Sequence, residues 1–89
     1  MRQGKVKQHP ERLAEKLRAI RERLGLSQNE IIRRLGFDGE LIQSHISAYE
    51  AQKHNRIPPI GVLLQYSRIS GIPLEDIVDD ERELPSSIL

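Results

Sequence analysis

The chain has 89 residues, a length that fits one small domain with a modest core. It contains no cysteine, which excludes disulfides and zinc–thiolate sites, and no apolar run approaches the roughly 20 residues of a transmembrane helix. Net charge is only +1, but residues 1–56 hold 12 Lys/Arg against 7 Asp/Glu, whereas residues 57–89 hold 2 against 6. This uneven distribution favours a phosphate-binding face built from the first part of the chain.

The first predicted element is an amphipathic helix that follows a flexible basic arm. Residues 1–9 carry three basic side chains without apolar periodicity, so we assign them to the arm. Pro10 fits the first turn of the helix, where its missing N–H costs little, and Gly25 is a suitable stop. The basic residues of this helix, Lys16 among them, are expected on its solvent-facing sides. One apolar stripe is formed by Leu13, Leu17, Ile20 and Leu24.

The second predicted helix has clear signals at both ends. Ser27 and Glu30 form the Ser-x-x-Glu capping box, in which each side chain satisfies a free backbone N–H at the helix start. Leu35 is the last apolar residue before Gly36, which ends the helix. The stretch 37–40 (FDGE) then has the composition of a turn.

Two starts are possible for the third predicted helix. It begins either at about Leu41 or Ile42, or one turn earlier near Gly39 with Asp38 as its N-cap, and it ends between Ala51 and Lys53. Its inward residues are predicted to be Ile42, Ile46 and Tyr49, and its outward residues Gln43, Ser44, Ser47 and Ala48.

The rest of the chain predicts two more helices and a tail. Pro58-Pro59 opens the fourth helix, which runs to Gly71, and Pro73 begins a short fifth. Residues 79–89 form an acidic tail that we expect to be loosely ordered. The predicted inward residues are Leu74, Ile77 and Val78 in the fifth helix and Ile60, Leu63 and Leu64 in the fourth, where Ser67 continues the same helical spacing.

In this order and spacing the chain resembles the phage-repressor and Cro type of helix-turn-helix domain, the XRE family. The matching pieces span about residues 12–78 and include Leu26-Ser27-Gln28-x-Glu30, Leu35-Gly36, Ile46-Ser47-x-x-Glu50 and Gly71-Ile72-Pro73-Leu74-Glu75-Asp76-Ile77. The resemblance implies an all-α, five-helix, lambda-repressor-like fold over residues 10–78, in which helices 2 and 3 form the helix-turn-helix.

The resemblance also implies which residues touch DNA. Gln28 would contact a phosphate and brace Gln43, the first residue of the reading helix, and Glu50 would pair with an arginine of helix 1 or 2. Residues 53–56 would run along the DNA backbone, where basic groups add affinity without sequence information. His45, near the start of the reading helix, is predicted to be either a neighbour of phosphates or bases or simply solvated. With it, the predicted DNA-binding set is Gln28, Gln43, Ser44, His45, Ser47, Ala48, Lys53, His54, Asn55 and Arg56.

The chain departs from this family at the turn. Gly36 and Ile46 are ten positions apart, which implies an insertion, and Ile32 stands where the family generally has alanine. We interpret the two as linked, since a larger residue at position 32 needs the room and the packing partners that Phe37 and Leu41 supply.

The predicted function is sequence-specific binding of double-stranded DNA in transcriptional control, most simply as a cytoplasmic, nucleoid-associated repressor. A homodimer is expected, which either uses helix 5 and the tail, through Ile77, Leu84, Ile88 and Leu89, or forms only on DNA. Two alternatives stay open: an antitoxin that binds operator DNA and a toxin, and a protein-interaction module, with the acidic C-terminal half meeting the protein partner. No metal, cofactor or catalytic site is predicted, because the histidines lack ligand spacing and Glu50 has no nucleophile or base beside it.

Overall fold

The computed structural model describes residues 10–51 and 56–86, and these residues form five α-helices and no strand. The predicted all-α, five-helix fold is therefore confirmed, and α2 and α3 form the helix-turn-helix. The helices are α1 (Leu13–Arg23), α2 (Gln28–Leu35), α3 (Gln43–Ala51), α4 (Ile60–Ser70) and α5 (Leu74–Val78).

One apolar core joins all five helices. Three of the four stripe residues of α1 are fully buried, and Leu24 packs against the core from its edge. Of the predicted inward residues of α4, Leu63 is buried, but Ile60 and Leu64 were placed wrongly, because they are 62% and 36% exposed. Tyr66 is completely buried instead. The residues that α4 buries are Val62, Leu63, Tyr66 and Ser70.

Helix α1 starts three residues later than Pro10 suggested. The first backbone N–H groups of this end, those of Glu11 and Arg12, donate to the carboxylate of Asp80 at 2.8 and 2.9 Å. A side chain about 70 residues further along the chain therefore satisfies the two backbone donors that lie just before α1.

Lys16 lies inside the protein, which corrects its predicted place on the solvent side of α1. Its side chain is 2% exposed, and Nζ donates to the backbone oxygens of Asp76, Asp79 and Arg82 at 2.7–2.8 Å. Burial lowers the pKa of the Lys16 ammonium, and the three carbonyls replace the water that it loses.

These bonds also fix the tail, which we expected to be loosely ordered. Within the described residues 79–86, Arg12 binds Glu83 through two nitrogens and Arg23 donates to the backbone oxygen of Pro85. Leu84 packs against the core. The tail as far as residue 86 is thus held along α1 by side chains of that helix.

The prediction that Ile77 forms part of a dimer surface is wrong. Ile77 is fully buried within the domain and Leu84 packs against the same core, so Ile77 has no surface to offer a second copy. Ile88 and Leu89 lie outside the described residues.

Candidate nucleic-acid interface

The turn 36–42 determines how α3 is presented. Gly36 (φ 84°) ends α2 and Gly39 (φ 92°) lies inside the turn, and both occupy the left-handed region that glycine adopts without strain. The backbone N–H groups of Glu40 and Leu41 both donate to the oxygen of Phe37 at 2.9 Å. Residues 37–41 therefore form a closed turn, and α3 starts only at Gln43.

The later of the two predicted starts for α3 was therefore nearly right, and the start at Asp38 and Gly39 was wrong. The packing of this segment also differs from the prediction at one residue. Leu41 is half-buried against the core, which agrees with its predicted role as a packing partner. Ile42, which we placed inside, is 62% exposed. Ile46 and Tyr49 are buried as predicted.

The start of α2 carries the predicted capping box in full. The Ser27 hydroxyl accepts from the backbone N–H of Glu30 at 3.0 Å, and the Glu30 carboxylate accepts from the backbone N–H of Ser27 at 2.8 Å. These bonds lower the pKa of Glu30. Because both bonds of the reciprocal pair are made, the backbone at the start of α2 is held in place, including that of Gln28, the first residue of the helix.

A chain of side-chain hydrogen bonds connects three helices behind the start of α3. The Gln43 amide donates to Gln28 Oε1 at 3.1 Å, and the Gln28 amide donates to Glu50 Oε1 at 3.3 Å. Arg21 then binds both carboxylate oxygens of Glu50, at 2.7 and 3.0 Å, and donates to the oxygen of Leu26 at 2.9 Å. The network comprises Arg21, Glu50, Gln28 and Gln43, and it contains both contacts that the resemblance implied.

His45 has a structural task at the start of α3. Its Nδ1 accepts from the backbone N–H of Ile42 at 3.0 Å, while its own backbone N–H donates to the oxygen of Ile42 at 2.9 Å. The first bond requires an Nδ1 that carries no proton. The ring therefore caps the helix from its third residue, as the glutamate of a capping box does.

The predicted DNA-facing residues of α3 are on the surface to different degrees. Gln43 and Ser44 are exposed, and Ser47 and Ala48 are half-buried one turn further on. Arg56 is exposed on the loop that follows α3. Lys53, His54 and Asn55 lie outside the described residues, as does the basic arm 1–9.

Sequence reasoning missed two residues beside this surface. Asn29 and Arg33 are exposed on α2, one helical turn apart, and line a shallow groove between α2 and the turn. Their four-residue spacing on one helix face was a readable signal. The groove lies directly beside Gln43, which lines it from α3.

The arrangement of α2 and α3 agrees with comparison to known families. The family model described as a helix-turn-helix domain matches residues 14–83. The chain belongs to the helix-turn-helix domain family. No curated protein and no solved structure matches the chain in the corresponding searches.

The helix-turn-helix family is one of DNA-binding regulators that are typically not enzymes. The matched region runs beyond α5 into the segment held by Arg12 and Lys16. None of the helices in the described part has the length and apolarity that crossing a membrane requires.

Proposed function

We propose that this helix-turn-helix domain is a sequence-specific transcriptional regulator of the XRE type, acting as a repressor, with α3 in the major groove of double-stranded DNA. The observation that carries the proposal is the side-chain network behind Gln43. Its hydrogen bonds hold the first side chain of α3 before any ligand arrives, which is what a base-reading residue requires.

The energetic argument concerns the freedom of the reading side chain. A free glutamine loses rotamer entropy when it binds a base, and this loss lowers affinity. Gln43 is restrained by Gln28, which is itself restrained by a carboxylate paired with Arg21. The side-chain oxygen of Gln43, Oε1, remains available to accept a hydrogen bond from an adenine or cytosine amino group in the groove.

The positions beside Gln43 suit the same role. Ser44 has a small polar side chain that can hydrogen-bond to several bases, and Ala48 is small enough to lie against a thymine methyl group. His45, Ser47, Lys53, His54 and Asn55 complete the proposed contact set. In this proposal Gln28 and Arg56 meet phosphates, and Arg33 adds a contact that the sequence did not predict.

Selection of bound sequences from a pool of random duplexes tests this function directly. We expect one preferred sequence, and binding that weakens steeply with salt as phosphate contacts release counterions. The absence of salt-dependent binding to any duplex would remove the proposal.

Variants separate base reading from phosphate contact. Replacing Gln43 by alanine should relax the preference at one base position, whereas Arg56→Ala should weaken all duplexes alike. Arg68→Ala, an exposed change on α4 away from the helix-turn-helix, is the matched control and should leave binding unchanged. An unchanged base preference in the Gln43 variant would contradict the proposed orientation of α3.

The operator arrangement is part of the proposal. We propose a homodimer, formed on DNA, that occupies two half-sites about one helical turn, roughly 34 Å, apart. Symmetric repeats in the selected sequences support it, and a single unpaired site contradicts it. In a cell, such a regulator would act in the cytoplasm at the nucleoid.

A protein partner is the second candidate, and the surface of α4 favours it. Ile60 and Leu64 are exposed and four residues apart, so they lie on one face of the helix. An antitoxin would bind a toxin in addition to its operator, and a pure interaction module would bind protein only. Ile60→Ala and Leu64→Ala should weaken a protein complex without changing the affinity for DNA.

A further inference from the structure

Ile42 is an exposed apolar side chain held rigidly at the start of the proposed reading helix. It is 62% exposed and immediately precedes Gln43. Its backbone is bonded to His45 on both sides, since its N–H donates to Nδ1 at 3.0 Å and its oxygen accepts from the backbone N–H at 2.9 Å. The turn and the cap thus fix the backbone of Ile42 and with it the direction in which its Cα–Cβ bond leaves the chain.

The surface around Ile42 combines an apolar floor with a polar rim. The groove between α2 and the turn is lined on its apolar side by Ile32, Leu41 and Ile42. Its polar lining consists of Asn29, Arg33 and Gln43, whose side chains can meet base edges or phosphates, and the carboxylate of Asp38. A protein partner that covered this patch would have to desolvate all of these polar groups.

DNA offers an apolar group at this place. In the major groove the C5-methyl group of thymine is the one apolar feature among the four bases, and it lies next to hydrogen-bonding base edges. A methyl group placed against Ile42 would lose water on both sides, while the polar groups beside it stay within reach of other bases and phosphates.

We propose that Ile42 reads thymine through contact with its C5-methyl group, at the base position next to the one read by Gln43. The inference rests on the proposed function, since it requires α3 in the major groove. It assigns a specificity role to the lengthened turn, because the turn that replaces a shorter connection ends on this residue.

The size of the effect follows from the area buried. Removing one buried methyl group costs roughly a fourfold loss of affinity. Replacing a thymine by deoxyuridine removes only that methyl and leaves every hydrogen-bonding group in place. The duplex itself therefore supplies the cleanest probe.

The experiment uses the full chain and the duplex obtained by selection, resynthesised with deoxyuridine at each thymine in turn. We expect wild-type affinity to fall about fourfold at one thymine of each half-site. Ile42→Ala should bind the unmodified duplex several-fold more weakly and should be insensitive to the same thymine-to-uracil change. Ile60→Ala, which shortens an equally exposed isoleucine on α4, is the matched control and should retain the wild-type response.

Each outcome decides the proposal. An equal response of wild type and Ile42→Ala to uracil at every position overturns it, and so does a wild-type protein indifferent to every thymine methyl. The second result needs no variant, so it stands even where Ile42→Ala folds poorly. If the selected duplex is bound tightly but no thymine methyl matters, only the proposed role of Ile42 is overturned. If the protein binds no DNA, the proposed function is overturned as well. A change of oligomeric state in Ile42→Ala with an unchanged uracil response would assign this residue to a contact between copies instead.

Discussion

Arg21 of α1 and Glu50 of α3 are joined by two hydrogen bonds, from Nε to Oε2 at 2.7 Å and from Nη2 to Oε1 at 3.0 Å. Both side chains are largely removed from water, with exposed fractions of 13% and 5%. The hydrogen bond to Glu50 raises the pKa of Arg21. The pair fixes α3 against α1, and Gln28 extends it towards the start of the reading helix.

Glu50→Ala should destabilise the protein strongly, because it leaves the Arg21 guanidinium without its partner in a mostly buried place. Loss of one member of a buried pair costs about 3 kcal/mol. Glu22→Ala is the control, since it breaks an exposed pair with Arg18 that is worth about 0.5 kcal/mol or less. Urea unfolding of the two variants measures the difference, and similar losses in both would contradict a buried role for Glu50.

Lys16→Met should release the tail from α1. The substitution keeps most of the chain length but leaves the oxygens of Asp76, Asp79 and Arg82 without their shared donor. We expect a loss of roughly 2 kcal/mol or more in the free energy of unfolding, since buried acceptors are left unpaired.

Amide hydrogen exchange distinguishes this release from general destabilisation. The N–H of Arg82, which donates to the oxygen of Asp79, should exchange much faster in Lys16→Met, whereas core amides of α4 should follow the global stability alone. Arg23→Met, which removes one exposed bond to the backbone oxygen of Pro85, is the matched control. Unchanged exchange at Arg82 would mean that other contacts hold the tail.

The parts of the fold that were predictable from sequence have local causes. Ser27 and Glu30 fix the start of α2, and Gly36 fixes its end. At each end the bonded groups lie within one helical turn, and the structure has both features as predicted. The burial of Ile46 and Tyr49 was predictable for a similar reason. The two residues are three positions apart in one helix, so they lie on the same face of it. For the candidate site, Gln28 was expected to brace Gln43, and Glu50 was expected to pair with an arginine of helix 1 or 2; both contacts are present. The hydrogen bond from Gln28 to Glu50 that joins them was not predicted.

The wrong predictions have two causes. Some residues contact partners that are distant in the chain, and in some helices the buried face is rotated from the one that the sequence pattern suggested. Lys16 looked solvent-exposed because its partners lie about 60 residues away, beyond any local pattern. The hydrophobic pattern of α4 is apolar on several sides, so the sequence did not show that Tyr66 rather than Leu64 faces inward. At α3 the closed turn leaves Ile42 exposed, although the helical spacing had placed it inside.

Tyr66→Phe should leave stability unchanged or raise it. The ring is fully buried, burial raises the pKa of its hydroxyl, and that oxygen has no hydrogen-bond partner among the described residues. Removing a buried, unpaired hydroxyl gains up to about 1–2 kcal/mol without creating a cavity of consequence. Thermal and urea unfolding measure the change, and Tyr66→Leu, which loses the ring, should be clearly destabilising. A marked loss in Tyr66→Phe would instead indicate a bound water on the hydroxyl.

Acidification should weaken the attachment of the tail through Glu83. The hydrogen bond from Arg12 lowers the pKa of this carboxyl below its ordinary value of 4.5. Because the folded pKa is the lower one, the stabilising contribution is present above pH 4.5 and is lost as the pH falls through the folded value. The difference in stability between wild type and Glu83→Gln should therefore shrink below that pH, as measured by urea unfolding at several pH values. Glu40→Gln, an exposed change in the turn, is the control, and a constant difference for Glu83→Gln would contradict the assignment.

Ile32→Ala should destabilise the protein by about 2–4 kcal/mol, the range for truncation of a buried isoleucine. Ile32 is 5% exposed in the core, and Phe37 and Leu41 of the turn pack against the same cluster, so a cavity would open between α2 and the turn. Ile60→Ala, at an exposed position, should change stability by no more than about 0.5 kcal/mol. Urea unfolding compares the two variants. Higher stability in Ile32→Ala would show that the larger side chain is strained there, and it would remove the link between Ile32 and the lengthened turn.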